Sequence, residues 1–145
     1  MRHTFECILR WSDMDAFGHV NNVVFLRYLE EARIDFLFRP SQDVAESPEG
    51  GDFKGGSVVA RHEIDYLRPL EHRQKPVTIE TWVTRIAAAS TTLAYEIKDA
   101  ETVYARANSV IVPYDLEQGR PRRLTSEEKS FLEGYFDDSP SADLR

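Results

Sequence analysis

The stretch Asn22-Val-Val-Phe-Leu-Arg-Tyr-Leu-Glu-Glu-Ala-Arg-Ile-Asp-Phe-Leu-Phe38 decides how the rest of the chain is read. Phe25, Tyr28, Leu29, Ala32 and Phe36 fall at helical spacing, and Val24, Leu26 and Leu37 widen the apolar face, so the spacing predicts one long helix over about 22–38 with several faces to bury. On its amino-terminal side, residues 3 to 11 alternate around Phe5, Cys7, Leu9 and Trp11, the period of a half-buried strand. On its other side, RPSQDVAESPEGGDFKGG is rich in Pro, Gly, Ser and acids and reads as a surface loop. Four runs of strand character follow: SVVARHEIDYL, PVTIETWVTRI, STTLAYEIKD and TVYARANSVIVPY.

The connections between those runs are too short for crossover helices, which favours antiparallel hairpins with turns at Ala87–Ser90 and Asp99–Glu101. Thr125-Ser-Glu-Glu128 is a capping sequence ahead of Phe131, Leu132 and Tyr135, predicting a short terminal helix before a disordered SPSADLR end. One strand, a long helix and four more strands give an α+β order, a sheet curled around the helix. Such a sheet leaves edges and one face to cover, so a homo-oligomer is expected. At 145 residues the chain is read as one domain over 1–145, with a core at about 3–113 and a carboxy-terminal extension at about 114–145.

Composition narrows the function classes. With 18 Lys and Arg against 25 Asp and Glu, the net charge of −7 disfavours nucleic acid and anionic membrane surfaces. No apolar run has the length of a membrane span, and the amino terminus lacks an h-region and a cleavage site, so the expected address is cytoplasmic. Cys7 is the only cysteine, which excludes an internal disulfide and a cysteine-based zinc cluster and leaves it a core hydrophobe. The basic run GRPRRL, with Arg120, Arg122 and Arg123, reads as a solvated loop or a patch for a small phosphate-bearing ligand.

The chemistry concentrates just before the helix, in Trp11-Ser-Asp-Met-Asp-Ala-Phe-Gly-His-Val-Asn-Asn22. A calcium loop counted from Asp13 would put Phe17 at its fifth position and Val24 at its twelfth, so two oxygen ligands are missing. A two-aspartate phosphatase needs a buried parallel strand ahead of the motif, and a D-x-N-P-x-H hydratase pattern counted from Asp15 meets Phe17, Gly18 and Val20 instead. What remains is an acid, a glycine and a histidine at the start of a long helix, where unpaired N–H groups and the helix dipole suit an oxyanion. Asn21 or Asn22 caps the helix, and Gly18 supplies a turn and lets a ligand approach the backbone. Asp15, held ionised, attacks a carbonyl carbon or deprotonates a water.

These residues resemble the hotdog-fold acyl thioesterases of the 4-hydroxybenzoyl-CoA thioesterase type, through Asp13-Met-Asp15-x-x-Gly18-His19-Val20-Asn21-Asn22, then Phe25, Tyr28 and Glu30-x-Ala-Arg33, then Asp65-Tyr66-Leu67-Arg68-Pro69. The resemblance implies a five-stranded antiparallel sheet wrapped around one central helix, dimers or tetramers with active sites at the subunit interface, no metal or other cofactor, and an acyl-CoA or acyl-carrier-protein thioester as substrate. It maps catalysis onto Asp15 and carbonyl polarisation onto amides near Gly18, His19 and Val20. Asn22 and Tyr66 join them as substrate contacts, and Ser90 as a residue reaching across the interface, while Tyr66 and Ser90 also read as ordinary strand residues. His19-Val-Asn-Asn22 is also similar to plant acyl-carrier-protein thioesterases, but Phe17 stands where their Asn would be, leaving His19 to orient Asp15 or water or to tie the loop. Asp13 reads as a loop-stabilising acceptor, and Glu30 with Arg33 as a helix-face ion pair. The rival class is a non-catalytic acyl-CoA-binding domain.

Overall fold

The structure is a computed structural model that describes residues 1–38 and 56–138. The expected surface loop at 39–55 and the SPSADLR end lie outside the described residues. The long helix, α1 (Asn22–Leu37), buries Phe25, Tyr28, Leu29, Ala32, Arg33, Phe36 and Leu37, the predicted stripe with one basic addition. Asn21 caps it, its Oδ1 accepting the Val23 N–H at 3.0 Å. Each fully buried Phe or Leu on that stripe contributes about 2 kcal/mol through removal of apolar surface from water.

Around α1 runs an antiparallel sheet of β1 (His3–Cys7), β2 (Ser57–Tyr66), β3 (Val77–Ile86), β4 (Thr91–Lys98) and β5 (Val103–Asp115), in the spatial order β1-β3-β4-β5-β2. A two-residue β6 (Arg120–Pro121) pairs with Tyr114 and Asp115 and makes a sixth strand that the sequence reading did not contain. Ile79 and Val83 of β3, Leu93, Tyr95 and Ile97 of β4, and Ala107 and Ile111 of β5 pack with the helix in one apolar cluster. The β3–β4 turn closes with Ala87 N–H on the Ser90 carbonyl at 2.8 Å, and at the β4–β5 turn the Asp99 carboxylate takes the N–H groups of Glu101 and Thr102. An Asx-type side-chain bond there replaces the Asn-Gly signal these hairpins lack.

The first strand is shorter than its alternation suggests. Phe5, Cys7 and Leu9 keep the expected inward period, but Trp11 is 76% exposed and stacks on His72, with ring centroids 4.2 Å apart. A short 3₁₀ turn over Trp11–Asp13, closed by Asp13 N–H to the Arg10 carbonyl and Met14 N–H to the Trp11 carbonyl, ends the period of two. Cys7 is buried, and burial first, then the Glu31 and Asp13 charges, push its thiol up to about 12, so it stays protonated.

Because β1 covers β3 only from Val77 to Thr81, the rest of that edge needs another partner. The chain beyond α2 (Ser126–Glu133) supplies it: Val83 donates to the Tyr135 carbonyl and accepts from Asp137. The capping box predicted at Thr125 and Glu128 opens α2, and Leu124 and Leu132 join the apolar cluster. Among the described residues the opposite edge, β2, pairs only with β5, and Val58 to Glu63 are exposed along it. Among the described residues no helix is long and apolar enough to cross a membrane.

Candidate functional site

The loop before α1 is a small closed hairpin. Met14 bridges Val20, Asp15 N–H donates to the His19 carbonyl at 2.7 Å, and Gly18 N–H donates to the Asp15 carbonyl at 3.2 Å. Gly18 has φ 80°, a left-handed conformation that an L side chain enters only at a cost, while a Cβ there would meet nothing within 4 Å. Its glycine is required by the turn and not by crowding.

That turn folds the backbone over the Asp15 carboxylate. Oδ1 accepts from Phe17 N–H at 2.8 Å and His19 N–H at 3.1 Å. The two amides, His19 first, hold the carboxyl below its ordinary range against a small opposing contribution from desolvation. Asp15 is therefore ionised at neutral pH, and among the described residues its Oδ2 carries no hydrogen bond.

Asp13, two residues earlier, has the opposite setting. It is 2% exposed, and its Oδ2 accepts the Tyr28 hydroxyl at 2.6 Å and the Arg10 N–H at 3.1 Å, while its carbonyl takes the Asn21 N–H. Asp13 thus ties the loop to the first turns of α1, the acceptor role read from the sequence. Burial, then the bond to Asp13, raise the Tyr28 hydroxyl above its usual range, so it donates throughout the accessible pH scale. Asp13→Ala should lower stability by about 3 kcal/mol, since it strands a buried hydroxyl, and Asp13→Ala with Tyr28→Phe should recover part of that loss. Denaturant unfolding of the two variants checks this; equal destabilisation of the single and double variants would contradict it.

A cavity of about 280 Å³ opens beside the loop, lined by Asp15, His19, Val20, Asn22, Tyr66 and Arg68 with Phe25 and Leu67 as its apolar wall. The Tyr66 hydroxyl donates to the Asn22 carbonyl at 2.8 Å, and its ring meets Phe25 edge-on at 5.4 Å. Five of the seven site residues expected from the sequence, Asp15, His19, Val20, Asn22 and Tyr66, thus line one space. Arg68 shares it, a residue of the Asp65–Pro69 motif to which the sequence assigns no role. Tyr28 belongs to the apolar stripe and to the helix residues that carry the resemblance, and its spacing on the helix gives no sign of a bond back to Asp13.

The structure corrects the expected amide set. The helix begins at Asn22, and the amides before it are spent on closing the loop: Gly18 on the Asp15 carbonyl, His19 on Asp15 Oδ1, Val20 on the Leu70 carbonyl at 2.8 Å. The Asn22 N–H has no acceptor among the described residues, and it stands at the positive end of α1 in the cavity wall. Ser90 is not in this cavity. Tyr66 pairs with Ala105 and Thr91 with Ile111, six residues apart on β5, which puts Ser90 about 20 Å away at the other end of the sheet. Near it, Ala89, Gln118 and the arginines of GRPRRL line a separate cleft, in which Arg122 is engaged by Glu128 through bonds of 2.9 and 2.8 Å. The Glu30–Arg33 pair is present at 3.9 Å. Among the described residues no group of three or more His, Cys, Asp or Glu is assembled to hold a metal.

Three comparisons bear on this geometry. An uncharacterized protein of Bacillus subtilis (strain 168), YsmA, is 32% identical over 127 residues, 86% of this chain and 80% of that protein. A predicted thioesterase from Bacillus stearothermophilus superposes with a TM-score of 0.82 at 25% identity, covering 96% of this chain and 99% of the other. A thioesterase from Thermus thermophilus, solved with coenzyme A and zinc, superposes with a TM-score of 0.73 at 31% identity, covering 91% and 92%. The sheet curled on α1 is the hotdog fold of these neighbours. The model of the thioesterase-like superfamily matches residues 9–132, through the Asp15 loop, the helix and strands β2 to β6, and the chain belongs to that superfamily.

Proposed function

We propose that the protein hydrolyses acyl-CoA thioesters to a free acid and CoA thiol at the Asp15 cavity. One observation carries the reading: an ionised carboxylate with one oxygen fixed by two amides, in the same cavity wall as the Asn22 amide, the other carboxylate oxygen and that amide having no hydrogen-bond partner among the described residues. A thioester carbonyl oxygen placed on the Asn22 N–H gains a donor aimed at the charge that develops in the transition state. Its carbon is then open to Asp15 Oδ2. Direct attack expels the thiolate and leaves an acyl-aspartyl anhydride that water hydrolyses; as general base, Oδ2 takes a proton from the water that attacks instead. Both routes use the ionised form. Tyr66 holds the first turn of α1 through the Asn22 carbonyl, and His19 lies beside Asp15 to orient water.

The same reading carries a homo-oligomer built over the β2 edge, which has no second partner strand among the described residues and whose last residue, Tyr66, is in the cavity; a neighbouring subunit would then be the source of any Ser90 contribution. Coenzyme A in the Thermus thermophilus neighbour supports a CoA substrate over an acyl-carrier protein. The test is free-thiol release from a panel of aliphatic and aromatic acyl-CoAs and acyl-carrier-protein thioesters. Release from acyl-CoA is expected. Binding with no release from any thioester would favour a non-catalytic acyl-CoA-binding domain, and hydration of an enoyl-CoA without thiol release would indicate a hydratase.

A further inference from the structure

Between Tyr66, the last residue of β2, and Val77, the first of β3, the chain runs through LRPLEHRQKP with no helix or strand of its own. Pro69 and Pro76 lack the N–H that a regular ladder needs, so the shape of this connector is set by what it touches. Three contacts join it to the Asp15 loop. Val20 N–H donates to the Leu70 carbonyl at 2.8 Å, Glu71 bridges His19, and the His72 ring stacks on Trp11 at 4.2 Å. His19 is also the residue whose N–H holds Asp15 Oδ1, so the connector braces the backbone that fixes the carboxylate. Its first residues, Leu67, Arg68 and Pro69, belong to the cavity wall.

The connector is anchored in turn on β5 and the β4–β5 turn. Leu67 N–H and Arg68 N–H both donate to the Tyr104 carbonyl, at 2.9 and 3.2 Å. At the other end, Arg73 donates through Nη1 to Asp99 Oδ2 at 2.7 Å and through Nη2 to the Tyr104 hydroxyl at 2.6 Å, and that hydroxyl donates to Asp99 Oδ2. Tyr104 therefore takes both ends of the connector, one on its carbonyl and one on its hydroxyl. Asp99 Oδ1 accepts the Glu101 and Thr102 N–H groups, which seats this ring of three side chains on the turn. The Tyr104 hydroxyl first, then Arg73, hold the Asp99 carboxyl well below its ordinary range, so the ring stays charged through neutral and mildly acid pH.

None of Arg73, Asp99 and Tyr104 lines the Asp15 cavity. The Arg73 and Asp99 side chains are 30% and 24% exposed, and an ion pair so exposed adds little to global stability. What it restrains matters more, because a shift of about 1 Å at reacting atoms costs about a hundredfold in rate. We propose that Arg73, closed into a ring with Asp99 and Tyr104, is a positioning residue for Asp15 and acts through the connector 67–76. The proposal rests on the hydrolase reading for its kinetic consequence, and a second readout needs no turnover.

The test compares the full-length wild type with Arg73→Ala, Tyr104→Phe and the double variant, each checked for folding by circular dichroism. In Arg73→Ala, hydrogen exchange of the Val20 amide should quicken by about tenfold more than that of Ile97, a fully buried residue of the central strand β4 that reports global opening. In the same variant kcat for thiol release from acyl-CoA should fall by about tenfold. Affinity for S-butyl-CoA, a thioether that cannot be hydrolysed, should change by less than about twofold, since the Tyr104 carbonyl still holds the wall residues Leu67 and Arg68. Tyr104→Phe keeps the ring and the carbonyl and should lose less. Added to Arg73→Ala it should cost nothing further, because both substitutions break one contact. Val20 and Ile97 quickening together, an unchanged kcat in Arg73→Ala, or losses that multiply in the double variant would each overturn the proposal. If the wild type releases no thiol the hydrolase reading falls, and selective exchange at Val20 decides by itself whether the ring holds the loop.

Discussion

Asp15→Asn is expected to lower kcat/KM for thiol release from acyl-CoA by at least about a hundredfold, with the fold and the affinity for an S-alkyl-CoA retained. The substitution is informative because the amide oxygen of Asn keeps an acceptor for Phe17 N–H and His19 N–H, the two bonds that close the loop on Oδ1. What it removes is the charge on the oxygen left open. The pH profile supplies a second readout. The carboxyl of Asp15 is held below its ordinary value, so the reactive form persists as pH falls through the usual Asp range near 3.9, and the acid limb of kcat/KM begins below it. In Asp15→Asn that limb should vanish. Turnover unchanged in the variant would assign the chemistry elsewhere.

Asn22→Pro should cost about a hundred- to a thousandfold in kcat, the loss found when one oxyanion donor is removed. Proline deletes the N–H proposed to face the carbonyl oxygen, and this position tolerates it. Asn22 is the first residue of α1, where no intrahelical acceptor awaits its N–H and where the fixed φ of proline suits the helix. The preceding Asn21 sits at φ −59° and ψ 137°, the extended backbone that a following proline requires. The Asn22 carbonyl remains for Tyr66. Asn22→Ala, which keeps the N–H and loses the side chain, is the control and should stay within a few-fold of wild type. Equal losses in the two variants would assign the effect to the Asn side chain and remove the amide from the mechanism.

What was legible in the sequence follows from how local each feature is. The Phe25, Tyr28, Leu29, Ala32 and Phe36 stripe, the Asn cap and the Thr125 capping box depend on residues a few positions apart, and the structure has them where periodicity and capping rules put them. The Asp15 hairpin is likewise a property of one short segment with Gly18 at its left-handed position. Trp11 misled because a period of two was extended across a turn that only the Asp13 and Arg10 bonds reveal.

The sequence by itself therefore determined the order of the two helices and the five long strands, the buried stripe of α1 and the residue types gathered at the loop before it, because helix and strand periods and caps are set by nearest neighbours along the chain. Which amide is left free was decided only in three dimensions. Val20 loses its N–H to Leu70, Asp13 is taken by Tyr28, and Tyr66 arrives at Asn22 from another strand. A hydrogen bond is made by whichever partner the packing brings within about 3 Å, and no spacing in the chain encodes that distance.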